Sequence, residues 1–109
     1  MYVAMTHFQI ILGQELLFET LWRERESYLD TMQGYRGLFL MRGATEKDHT
    51  VYVSQFIWNS KEDFDAWTQS DTFIKAHIQF GDTSVLFNAK PVFEGLTIVM
   101  QEMMGKPRK

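Results

Sequence analysis

The chain has 109 residues, enough for one domain with a modest core. A net charge of −3 offers no basic field for nucleic acid, and the lack of cysteine rules out disulfides and thiolate metal sites. No apolar run approaches the about 20 residues that span a bilayer, and "MYVAMTHFQIILGQE" has no basic start leading to a small-residue cleavage site. The expectation is a soluble cytoplasmic protein with neither nucleic-acid nor membrane partners. Nine Phe, four Tyr and three Trp are many for this length. They would fill a core or wall a flat apolar ligand, and composition alone favours the core.

Residues 2–11, "YVAMTHFQII", alternate as a strand, with Tyr2, Ala4, Thr6, Phe8 and Ile10 on one face and Val3, Met5, His7, Gln9 and Ile11 on the other. Gly13 ends it. The spacing predicts a helix over 14–29, with Leu17, Leu21, Glu24 and Tyr28 in line and Phe18, Trp22 and Arg25 beside them. "QGYRG" marks a turn into a second strand at 35–42. A polar connection over 43–49 leads to a third strand at 50–58, where Tyr52, Ser54, Phe56 and Trp58 oppose Val51, Val53, Gln55 and Ile57. The short connection implies an antiparallel hairpin.

Ser60, followed by Asp63, is placed to cap a helix bearing Phe64 and Trp67. Ser70 or Asp71 offers a second cap, so a further short helix is expected over 72–78. Residues 81–90 read as a loop, 92–102 as the last strand and 105–109 as a solvated tail beyond a single domain of 1–104. The order β-α-β-β-α-β is the ferredoxin-like split pattern of the α+β class, an antiparallel sheet with helices on one side. Both strand faces are apolar, and a homodimer stacked sheet on sheet would cover the second face.

Chemistry concentrates in "FDAWTQSDTFIKAH", residues 64–77. On one continuous helix Trp67 and His77 would lie about 15 Å apart along the axis, too far to act on one small atom. A helix break at Ser70 and Asp71 would let both face one pocket. The plainer alternative is a core tryptophan and a helix-end histidine sharing a face with Phe73 and Ile74, and spacing alone favours it.

The same segment resembles the W-x-x-S-x-x-F-x-x-A-H stretch of haem-degrading monooxygenases of the Isd and HmuQ type, in the antibiotic biosynthesis monooxygenase superfamily. "YVAMTHFQI", "FETLWRERESYL", "GYRGLFLMRG", "DHTVYVSQFIWNSKEDFDAW" and "PVFEGL" extend the resemblance over nearly the whole chain. It implies a dimeric α+β barrel with haem as both cofactor and substrate. The porphyrin ring would be opened with O2 and electrons from an outside donor, since no G-x-G-x-x-G motif is present. By resemblance His77 is the axial ligand to the haem iron. Trp67 is the indole that bends the porphyrin and exposes a meso carbon, and Trp22 is an aromatic wall. Arg25 matches a basic residue of the first helix, for which a propionate would be a partner, and in a haem complex Phe8 and Phe73 would press on the ring. The family's first-strand Asn is replaced by Thr6, a hydroxyl on a shorter stem, which bears on turnover more than on binding. His7 is adjacent, and a one-residue slip of register would exchange the two.

Besides the blander reading of a dimeric small-ligand binder of unknown role, two rival functions remain. One is a haem-binding or buffering protein with little turnover. The other is a cofactor-independent monooxygenase of an aromatic substrate, with His77 as base. Three scattered histidines without H-x-x-x-H spacing give no support to metal hydrolysis.

Overall fold

The structure, a computed structural model, describes residues 1–25, 28–80 and 83–102, and the side chains of 76–80 lie outside that description. In chain order it holds β1 (Tyr2–Ile11), α1 (Glu15–Glu24), β2 (Tyr35–Thr45), β3 (His49–Trp58), α2 (Lys61–Thr68), α3 (Asp71–Phe80) and β4 (Phe87–Thr97). Single 3-10 turns, Leu29–Thr31 and Ser84–Leu86, precede β2 and β4. The four strands form one sheet in the order β2-β3-β1-β4, and every neighbouring pair is antiparallel. This is the ferredoxin-like α+β arrangement read from the element pattern.

Alternation in β1 and β3 decides which side chains meet the helices. Ile10, Tyr52 and Trp58 are fully buried on the helix-facing side. The registry Thr6↔Ser54 and Phe8↔Tyr52 between β1 and β3 aligns those faces residue for residue. The slip that would turn His7 inward does not occur. His7 sits between Val53 and Val92 on the other face, with Nε2 3.7 Å from Glu94 Oε1.

Three elements depart from the sequence reading by three residues or more. The first helix stops at Glu24, because Arg25 is extended (ψ 147°) and Tyr28 adopts a left-handed conformation (φ 56°). Its buried line accordingly runs through Phe18, Leu21 and Trp22, while Leu17 and Tyr28 are exposed. β2 continues to Thr45, where Glu46 N–H donates to His49 O (2.7 Å) to close the hairpin. β4 starts at Phe87 and ends at Thr97, five residues earlier at each end than expected. Pro91 concealed the early start. It is tolerated because β4 is an edge strand whose pairing with β1 slips between His7↔Val92 and Gln9↔Ala89. The expected tail, 105–109, lies outside the described residues.

The buried side chains form two clusters rather than one. Ile10, Phe18, Tyr52 and Leu86 pack beneath α1, and Leu29, Trp58 and Trp67 pack beneath α2. What separates them is the candidate site.

Candidate functional site

Between the two clusters lies a cavity of about 430 Å³, within the range of small-molecule pockets. Its floor is the sheet: Ala4, Thr6 and Phe8 from β1, and Ser54 and Phe56 from β3. Trp22 and Arg25 wall it on the α1 side, and Trp67 and Phe73 on the other. Phe87 and Phe93 add the β4 edge. The lining is mainly apolar and about half of it aromatic, so it suits a flat apolar ligand better than a hydrated one.

Local capping positions the α2–α3 wall. Ser60 Oγ accepts from Asp63 N–H (3.1 Å) and starts α2. At the junction, Ser70 Oγ donates to Trp67 O (2.6 Å) and accepts from Phe73 N–H (3.3 Å). One serine thus ends α2 and begins α3, which is the break expected from the sequence. It leaves Trp67 and Phe73 edge to face, with centroids 4.8 Å apart and planes at 87°. Trp67 also lies against Phe56 (5.6 Å) and Trp58 (5.5 Å) and is 6% exposed. Its indole Nε1 is buried with no hydrogen-bond partner among the described residues.

On the opposite wall Arg25 folds back on its own helix. Nη1 donates to Trp22 O (2.8 Å), and Cζ lies 4.9 Å from the Trp22 ring centroid. Burial pulls this guanidinium below its ordinary pKa, and Tyr35 acts in the opposite sense. No carboxylate among the described residues lies within ion-pair distance of Arg25.

Trp67, Thr6, Trp22, Arg25, Phe8 and Phe73, all singled out from the sequence, line this one cavity. His77 falls on α3, and its side chain lies outside the described residues. His7 is not among the lining residues.

A polar clamp beside the cavity was not foreseen. Thr50 Oγ1 donates to Glu15 Oε2 (2.7 Å) and Tyr52 Oη to Glu19 Oε2 (2.5 Å). Arg23 (3.1 Å) and Arg42 (3.3 Å) complete the shell of Glu19. The Tyr52 hydrogen bond is the main cause holding the Glu19 carboxyl below its usual range. Burial, then the carboxylate, pushes the Tyr52 phenol up to about 12. The signal was a matched spacing: four residues of helix rise about 6 Å and two residues of strand about 6.8 Å, so Glu15 and Glu19 meet Thr50 and Tyr52 in step.

Residues 1–79 match the family model described as antibiotic biosynthesis monooxygenase. The chain belongs to that family. A curated family relative, a haem-degrading monooxygenase of Bacillus mycoides, is 30% identical over 76 residues, covering 69% of this chain and 71% of the relative. The antibiotic biosynthesis monooxygenase fold recurs in two solved structures. The haem degrader MhuD of Mycobacterium tuberculosis, with two haems bound in its active site, superposes with a TM-score of 0.73 at 16% identity, covering 94% of this chain and 100% of that one. SnoaB, a cofactor-independent oxygenase of Streptomyces nogalater, gives a TM-score of 0.65 at 13% identity, covering 96% and 98%. At such identities the likeness is one of fold. Monooxygenase chemistry follows at the level of the family. No described helix is long and apolar enough to cross a membrane.

Proposed function

We propose that this protein is a haem-degrading monooxygenase of the cytoplasm, taking haem as substrate, opening its ring with O2 and externally supplied electrons, and releasing iron. The observation that carries the reading is the aromatic cavity that interrupts the core, lined by Trp67, Thr6, Trp22, Arg25, Phe8 and Phe73. An apolar slot of this kind fits a porphyrin face, and Arg25 at its wall is a fitting partner for a propionate. The curated Bacillus relatives add support from sequence.

His77 would supply the iron ligand, for which a neutral imidazole is the fitting donor. The oxygen chemistry is the haem iron's own. Trp67, wedged between Phe56, Trp58 and Phe73, is held stiffly enough to press on a ring lying over it. Trp22 and Phe8 bound the other side and exclude water. Electrons come from a donor protein or small reductant. A second copy covers the outer sheet face, where Phe39, Met41, Val92 and Leu96 are exposed.

A second reading, haem binding with little turnover, is favoured by Thr6, whose hydroxyl reaches less far into the cavity than an Asn amide. One titration separates the two. Hemin added to the protein is expected to shift the Soret band with one equivalent per chain, and His77→Ala to abolish the shift. Ascorbate in air should then bleach the band and free iron. Binding without bleaching selects the buffering reading. Absence of binding refutes both and leaves the cofactor-independent class.

A further inference from the structure

We infer that Ser54 and Thr6 form a hydroxyl latch that holds a single oxygen atom of a ligand against the floor of the cavity. Three hydroxyl-bearing side chains, Thr50, Tyr52 and Ser54, follow one another on the helix-facing side of β3. The first two donate to carboxylates of α1, Glu15 and Glu19. The series then ends, because the next residue one turn on is Arg23, which turns back to Glu19. Ser54 is 1% exposed, lines the cavity and makes no side-chain hydrogen bond among the described residues. A hydroxyl that lines an apolar cavity without a protein partner is free to bond one that arrives with the ligand.

Thr6 stands directly opposite Ser54 in the β1–β3 ladder, lines the same cavity and likewise bonds to no described side chain. Residues so paired have Cβ atoms about 4.5–5.5 Å apart, close enough for both hydroxyls to reach one atom above them. Around the pair the side chains are apolar apart from Tyr52, two residues before Ser54 on β3, whose hydroxyl is taken up by Glu19. Phe56 and Phe8 flank it along the strands, Leu40 lies beyond Ser54 on β2, and Phe93 lies beyond Thr6 on β4. The ligand class is therefore a flat apolar ring system that presents one oxygen to the sheet. With haem as substrate, that oxygen would belong to a small molecule bound alongside it. With an aromatic substrate it is a phenolic oxygen. The latch rests on the cavity being the ligand site, as proposed above, and not on haem being the ligand.

The test compares the full chain with Ser54→Ala and the conservative Ser54→Thr. Hemin is titrated first, and fluoride is then titrated into the ferric complex as a small hydrogen-bond-accepting probe. Ser54→Ala is expected to weaken fluoride binding about 3–10-fold, the worth of one hydrogen bond, with hemin affinity unchanged and Ser54→Thr restoring it. Equal fluoride affinity in wild type and Ser54→Ala overturns the latch while leaving the haem reading intact. If wild type does not bind hemin, the haem reading fails and the latch is judged with 1-naphthol against naphthalene. A loss in Ser54→Ala confined to naphthol supports it, and equal losses, or binding of neither compound, overturn it. A serine with a structural role would lose thermal stability on truncation. Here the midpoint of Ser54→Ala should stay level or rise.

Discussion

Trp67→Phe separates the two properties of this indole, its bulk and its orphan N–H. A large aromatic buries about 150–250 Å², which at about 25 cal/mol per Å² is worth about 4–6 kcal/mol. Phenylalanine retains most of that area, so shrinking the ring loses about 1–2 kcal/mol. The same change removes a buried donor that has no acceptor, returning about 1–3 kcal/mol. The two effects nearly cancel, and Trp67→Phe should fall within about 1 kcal/mol of wild type, whereas Trp67→Ala should lose about 3–5 kcal/mol. Urea unfolding followed by circular dichroism measures both, provided the slope m is unchanged. A Phe variant that loses more than about 3 kcal/mol would show that Nε1 has a partner and that the cancellation is mistaken. If Trp67 bends the porphyrin, Trp67→Phe should also bind hemin nearly as well as wild type while bleaching it more slowly.

The Glu15 and Glu19 carboxyls both sit below their ordinary value of 4.5, so their contribution to stability is complete above about pH 4.5 and is lost as pH falls through the lower folded-state values. The urea midpoint should hold from pH 7 to pH 5 and then drop, and Glu19→Gln should lower it at pH 7 and flatten the drop. An equally steep fall in Glu19→Gln would remove the clamp as its cause. A Cβ at Gly95 would overlap the hydroxyl of Tyr2, so Gly95→Ala should cost about 1–3 kcal/mol by overpacking, part of it recovered by adding Tyr2→Phe, as thermal midpoints will report. Arg25→Gln should weaken hemin about tenfold but leave binding of hemin dimethyl ester unchanged, since the ester has no carboxylate for a guanidinium. Equal losses for both ligands would reduce Arg25 to a packing residue.

The β1–β3 pair was legible because alternation in residues 2–11 and 50–58 is regular and the two runs pair without a slip, and the β2–β3 hairpin because its connection is short. The α2–α3 break was legible because a serine at its junction carries its own physical reason. The first helix was overextended because Tyr28 continues an apolar line by spacing while its backbone has left the helix. Pro91 disguised β4, since the rule against proline in strands relaxes on an edge, and edge position is a property of the whole sheet. Of the residues carried by the sequence resemblance, Trp67, Trp22, Thr6 and Arg25 line the cavity, while the His77 side chain lies outside the described residues. Ser54 was seen only as one of an alternating set, because its importance lies in facing Thr6 across a register that no single strand reveals.

A core divided by a cavity leaves this small domain short of buried area, and the sheet's outer face offers a remedy. Phe39 and Gln55, and Met41 and Val53, are paired across β2 and β3 on that side, and the rows run on through Met5 and His7 to Glu94 and Val92. Phe39 is 56% exposed and Val92 62%, so the apolar stripe is open in a single chain. Closure by a second copy, as proposed above, makes folding and association one equilibrium. The unfolding midpoint should then rise with protein concentration, each tenfold increase adding about 1.4 kcal/mol per dimer. Phe39→Lys places charge on the stripe without touching the cavity. It should yield a monomer in sedimentation velocity, with a lower midpoint that no longer depends on concentration. A wild-type midpoint that stays fixed between about 1 and 100 μM, with a monomeric mass throughout, would show that one chain supports its divided core unaided and that the exposed stripe serves something other than self-association.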